Sequence, residues 1–242
     1  MRYVVSLIAL SLTASGCTMV PASQQTSGGR GGTQSASWEN VERAPSPRVR
    51  RAGGMGFGGG AGGNSCLAEL GSKGSRFTAM PDRDYGAGCS TVNTVQLASL
   101  GGDAGEFGLS NAGPITCNTA RAMAGWARFG VDRAARQILG SPLVRIETMG
   151  TYSCRNVAGS SRRSAHSTAN AVDVSGFVLA DGRRISVKGD WDGGSAAERK
   201  FLRTVQDSAC KRFGTVLGPR YNAAHADHFH LEVKRGGGSF CR

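Results

Sequence analysis

Six cysteines, Cys66, Cys89, Cys117, Cys154, Cys210 and Cys241, are spread along the last three quarters of this chain. An even count in an exported protein reads as up to three disulfides, and cross-links between distant segments restrict the possible folds more than local propensity does. Six cysteines allow fifteen pairings, and spacing does not choose among them. Cys89 with Cys117 is the local staple expected. No CxxC pair occurs, which disfavours a cysteine zinc knuckle.

Export is expected from the first residues. "MRYVVSLIALSLTASGC" has one Arg, a short apolar run and small residues before Cys17, the form of a secretory signal and too short to span a membrane stably. Ala14-Ser15-Gly16 before Cys17 resemble a bacterial lipobox, with Ala14 where Leu is usual. Residues 1–17 are therefore expected to be a signal peptide with lipidation at Cys17, anchoring the protein to the outer membrane on its periplasmic side. From residue 18 to 63 the chain is rich in Gly, Ser, Gln and Arg and has no apolar period. Such a segment buries too little to offset chain entropy and is expected to be a tether. The folded domain is then 64–242, and a monomer is expected.

The net charge of +12 is not spread evenly. Residues 64–153 carry eight basic and seven acidic side chains, whereas 154–242 carry fifteen and eight. An exported basic surface suits an anionic polymer or lipid headgroups better than nucleic acid, which is excluded as a partner.

Local patterns predict an α+β domain in which helices pack on a small antiparallel sheet that carries a zinc site, with disulfides. "SCLAELGSKGSRF" predicts a short helix entered from Asn64 or Ser65 and stopped by Gly71, and "TVNTVQLASL" a strand. Helix formers on both sides of Gly130 predict two helices, 118–129 and 131–139, the first capped by Asn118 or Thr119. "PLVRIETMG" reads as a strand ending at Gly150. In "AVDVSGFVL", alternation puts Asp173, Ser175 and Phe177 on one face and Val172, Val174 and Val178 mostly on the other. "ADGR" is a hairpin turn leading to "RISVKG". Ser195 with Glu198 makes a capping box for a helix ended by Gly214, with Phe201, Leu202, Val205 and Ala209 as its apolar stripe. "HFHLEVK" is the last strand.

The chain has four histidines, and three of them fall in "HADHFHLEV". His228 and His230 are two apart, so on a strand they leave the same face and can meet one object. Zinc is the natural candidate, since no cluster of carboxylates suggests calcium. A hydrolytic zinc site commonly has three protein ligands; His166 from the turn-like "SAHSTANA" and Asp173 from the next strand could complete it. An Asp inside an apolar run needs a partner.

"GTYSCRN", "SAHSTANAVDVSGF" and "VLGPRYNAAHADHFHLEV", in that order with flanking cysteines, resemble the bacterial extensin-like C-terminal domain family. That family is similar to zinc peptidases acting on peptidoglycan, the D-Ala-D-Ala carboxypeptidases, lysostaphin-type endopeptidases and penicillin-insensitive murein endopeptidase. Their pattern is S-x-H-x-x-G-x-A-x-D followed by H-x-H; Ser164, His166, Ala171 and Asp173 fit, and Ala169 replaces the glycine. The resemblance implies His166, Asp173 and His230 as zinc ligands and His228 as general base or hydrogen-bond partner of the attacking water. The E-x-x-H glutamate of the carboxypeptidases is missing, and His225 makes the pattern H-x-x-H-x-H, nearest to the murein endopeptidase. Arg155 resembles the arginine of a G-Y-R motif that would steady an oxyanion. The substrate implied is the peptide stem of peptidoglycan. Two alternatives are a wall-binding module with a degenerate zinc site and a zinc amidase. No G-x-S-x-G motif supports a serine nucleophile.

Overall fold

The structure is a computed structural model that describes residues 61–242 apart from 234, 235 and 237. The expected signal peptide, Cys17 and the expected tether as far as residue 60 lie outside the described residues, whereas residues 61–63, expected to belong to the tether, form the first turn of α1. In chain order the elements are α1 (Ala61–Ser72), β1 (Arg76–Ala79), β2 (Arg83–Gly86), β3 (Cys89–Thr91), β4 (Thr94–Gly101), β5 (Glu106–Ser110), β6 (Ile115–Thr116), α2 (Cys117–Trp126), β7 (Leu143–Gly150), β8 (Ala171–Leu179), β9 (Arg184–Ser186), α3 (Val187–Asp190), α4 (Ala196–Ala209), β10 (Thr215–Leu217), β11 (Phe229–Glu232) and β12 (Phe240–Cys241). No described helix is long and apolar enough to cross a membrane.

Ten strands form one sheet in the order β1-β4-β5-β7-β8-β11-β10-β12, with β6 added to β4 and β9 to β8, while β2 and β3 make a separate ladder. The pairs β5–β7 and β10–β12 are parallel and the others antiparallel. The sheet is thus large and mixed, where the sequence predicted a small antiparallel one. Strands of two or three residues, such as β6, β9, β10 and β12, are too short to show a period, yet they extend the central ladder on both sides.

Val172 and Val174 of β8 and Phe229 and Leu231 of β11 are buried on the face covered by helices. There Phe177 meets Trp126 of α2 and Phe201 of α4 edge to face, and Trp126 Nε1 donates to Val205 O at 2.9 Å. Phe177 belongs to this core and not to the Asp173 face as alternation predicts. Ser175 is the reason. Val174 pairs with Thr148 and Gly176 with Glu147, so Ser175 is an extra residue, a bulge that reverses the phase of the strand beyond it.

Other boundaries move for local reasons. Asn93, with φ of 52°, breaks the predicted "TVNTVQLASL" strand into β3 and β4. Thr116 caps α2, two residues before the expected Asn118, and its side chain accepts from Thr119 N. Helical backbone runs through Gly130 as π turns at Ala127–Asp132 and Ala135–Leu139. Gly130 is there for packing and not as a break, because a Cβ would run into Ser208 Oγ and the Trp126 ring. The capping box of Ser195 and Glu198 forms as predicted, although α4 ends at Ala209, before Gly214.

Three disulfides join Cys66 to Cys117, Cys89 to Cys154 and Cys210 to Cys241. The Cys89–Cys117 staple is therefore not formed. Cys66 is taken by Cys117 because α1 packs along α2, and Cys89 at the start of β3 faces the loop that follows β7.

Candidate metal centre

Two adjacent strands supply the first two donors. In the antiparallel β8–β11 ladder Asp173 and His230 are directly opposite each other, so their side chains leave the same face a few ångströms apart. His230 Nδ1 lies 2.9 Å from Asp173 Oδ1. The third donor comes from the turn before β8. Ser164 caps a 3₁₀ turn, Ala165–Thr168, accepting from His166 N, and the turn carries His166 onto the same spot. His166 Nε2 is 3.2 Å from Asp173 Oδ2 and 3.1 Å from His230 Nδ1. One ligand atom from each of the three residues fits within 4.8 Å of the others.

Neighbouring acceptors orient both rings. His166 Nδ1 is 3.0 Å from Thr151 O, so it donates there and leaves the Nε2 lone pair turned inward. His230 Nε2 is turned toward Glu232 Oε2 at 3.7 Å, which favours an inward lone pair on Nδ1. Two imidazole nitrogens and a carboxylate facing one point, nearly buried, could hold a cation between them. The donor set fits a divalent metal ion.

Without an ion a proton takes that place. Burial opposes charge on His230, but the Asp173 and Glu232 carboxylates outweigh it and raise its pKa to about 9. Burial would raise the Asp173 carboxyl, yet the His166 and His230 imidazoles beside it hold it well below the usual carboxylate range. The sign of the linkage follows. The His230 contribution to metal-free stability is fully present below pH 6.5 and is lost as pH rises toward 9; the Asp173 contribution is present above pH 3.8 and is lost on acidification below that. Chelated protein should therefore melt at progressively lower temperature from pH 6.5 to 9, whereas metal-loaded protein should not. Melting curves across that range check it, and a flat profile for the chelated form would contradict the pairing.

The remaining two histidines are beside the cluster. His228 Nδ1 lies 2.8 Å from Asp227 Oδ1, and its Nε2 is 3.6 Å from Asp173 Oδ1. His225 Nδ1 bonds Asn222 Oδ1 at 2.7 Å, and its ring centroid is 5.2 Å from that of His228 and 6.0 Å from that of His230. Burial, with the charges of His228 and His230, lowers the His225 pKa to about 4, so it is neutral at pH 7. Arg155 is exposed, and its charge adds to the lowering of His225.

A model of one family, extensin-like protein C-terminus, matches residues 64–242. The chain belongs to that family. Neither a curated protein nor a solved structure matches it. In this extensin-like domain all four histidines meet at one place, and His166, Asp173 and His230 come together as the sequence predicted. Sequence reasoning missed the residues that orient the rings. Glu232 was within reach, since it is two positions after His230 on the same strand face; the carbonyl of Thr151 gave no signal, because any residue supplies one.

Ala169 has φ of 53° in the left-handed region and is fully buried. An L-residue there costs roughly 1–2 kcal/mol relative to glycine. The buried methyl returns about 0.8 kcal/mol, and a glycine would lose roughly 0.5–1 kcal/mol in chain entropy. These offset each other, which accounts for an alanine where the resemblance has glycine. Ala169→Gly should change stability by less than about 1 kcal/mol and leave metal content unaltered. Thermal melting with metal analysis checks it; a larger loss would mean that the methyl has a packing role.

Proposed function

We propose that this domain is a zinc-dependent hydrolase of peptide bonds in the peptidoglycan of the cell envelope. The observation that carries the reading is the convergence of His166 Nε2, the Asp173 carboxylate and His230 Nδ1, with two further histidines alongside. Two imidazoles and a carboxylate are a zinc donor set of the hydrolytic kind. Zinc held there would act as a Lewis acid that polarises a carbonyl and acidifies water.

The protein groups have separate tasks. Asp227 orients the His228 ring through Nδ1, so that Nε2, on the side of Asp173, is placed to take a proton from the attacking water and pass it to the leaving amine. His225, neutral at pH 7, holds Asn222 through Nδ1 and offers Nε2 as a hydrogen-bond acceptor at the rim. Arg155 supplies positive charge for the substrate carboxylate or the developing oxyanion. The loop that carries it is tied down by Cys89–Cys154 and by the bond from Ser164 N to Arg155 O. A free D-Ala carboxylate or stem carboxylate suits that guanidinium, which supports peptide stems as the substrate. Export to the periplasm and a lipid anchor at Cys17 belong to the same reading.

Mass spectrometry of purified muropeptides incubated with the full chain, with and without a zinc chelator, tests it. Chelator-sensitive release of D-Ala would make it a carboxypeptidase, and conversion of cross-linked dimers to monomers an endopeptidase. Cleavage between glycan and peptide would make it an amidase. No product from metal-loaded protein would leave a wall-binding module.

A further inference from the structure

A second concave site lies on the helical side of the domain. It is a groove of about 540 Å³ between α1, α2 and the segment after α4, with Lys73, Arg121, Arg128, Phe129, Lys211 and Arg212 in its walls. None of the four histidines, Asp173 or Arg155 lines it. The sequence placed the basic excess on the half that carries the histidines, whereas the fold joins Lys211 and Arg212 from that half with cations from the nearly neutral half.

Six cations and two carboxylates gather here, of which Asp103 and its partner Arg133 stand just outside the groove's walls. Glu69 pairs with Lys73 at 2.5 Å and Arg121 at 2.7 Å. Asp103 pairs with both Arg128 and Arg133. Among the described residues Lys211 and Arg212 have no carboxylate partner within salt-bridge distance. Four positive charges are left over. The guanidiniums of Arg128, Arg133 and Arg212 lie 5.1, 4.7 and 5.3 Å from the centre of the Phe129 ring, which is 42% exposed. The ring face attracts cations and holds the three together against their mutual repulsion, but it does not neutralise them.

We propose that this groove binds a diphosphate group. Guanidinium forks match phosphate oxygens in pairs, and ammonium groups add point charge. Two adjacent phosphates carry about as much negative charge as the groove has positive surplus, and the volume is in the range of small-ligand sites. The phosphates could belong to a soluble diphosphate ester or to a lipid headgroup. The site is independent of the metal centre and of hydrolysis.

The test titrates sodium pyrophosphate calorimetrically into the full chain, and sediments the same protein with phosphatidylcholine vesicles that contain or lack diacylglycerol pyrophosphate. Saturable pyrophosphate binding is expected for a soluble ligand; capture by the diphosphate-bearing vesicles alone is expected for a lipid one. In either arm Lys211→Glu with Arg212→Glu should weaken binding at least tenfold, and Arg121→Gln on the opposite wall several-fold. His166→Ala should bind as the unaltered chain does. The proposal is overturned by an absence of binding in both arms, by binding that neither wall variant changes, or by binding that His166→Ala abolishes.

Discussion

Replacing His166, Asp173 or His230 with Ala should reduce bound zinc from about one ion per chain to nearly none, while His228→Ala should keep the zinc and lose turnover by about 10²–10⁴-fold. The two outcomes differ because of what each side chain touches. His166 Nε2, the Asp173 carboxylate and His230 Nδ1 face one another across 2.9 to 3.2 Å, so each loss removes a donor and leaves the other two misaligned. His228 stands one step back, with Nε2 3.6 Å from Asp173 Oδ1 and its other nitrogen on Asp227. Elemental analysis of each purified variant, paired with muropeptide turnover, separates the roles. Full zinc in any of the first three variants would refute the ligand set. Loss of zinc in His228→Ala would make His228 a ligand and leave the base unassigned.

The second large effect concerns the loop that carries Arg155. Substituting both Cys89 and Cys154 with Ser should cost roughly 4 kcal/mol of stability, as expected for opening a cross-link between residues 65 positions apart. Metal should be retained. His166 is held by the Thr151 carbonyl, and Ser167 Oγ still bonds Gly88 O at 3.1 Å, so the turn keeps anchors that do not involve sulfur. Arg155 is less well secured, because it is the residue next to the disulfide and its side chain is exposed. Turnover should fall through weaker substrate binding. Denaturant unfolding measures the first effect and the split between kcat and KM the second. An unchanged midpoint would show that β3 and the loop are held by the remaining hydrogen bonds, such as Arg163 Nε to Ala87 O at 2.6 Å.

What the sequence made legible was what local rules govern. Strand alternation put His228 and His230 on one side, and an Asp in an apolar run needed partners; both expectations led to the cluster in which all four histidines meet. The capping box of Ser195 and Glu198 was equally local. Tertiary effects were hidden. The extra residue Ser175 reverses the phase of β8, so Phe177 enters the core against the alternation. Gly130 lets α4 come close and does not stop a helix. The pairing of Cys66 with Cys117 depends on how α1 lies on α2, which no spacing encodes. The width of the sheet was hidden for a similar reason, since its added strands have two or three residues each. The basic groove was also illegible, because its walls come from both halves of the domain.

The most direct test of the central claim is anomalous scattering at the zinc edge from crystals of the zinc-loaded protein. The account predicts a single peak within bonding distance, about 2.0–2.2 Å, of His166 Nε2, an Asp173 carboxylate oxygen and His230 Nδ1. A peak held by other residues, or none at this cluster in zinc-saturated crystals, would contradict it.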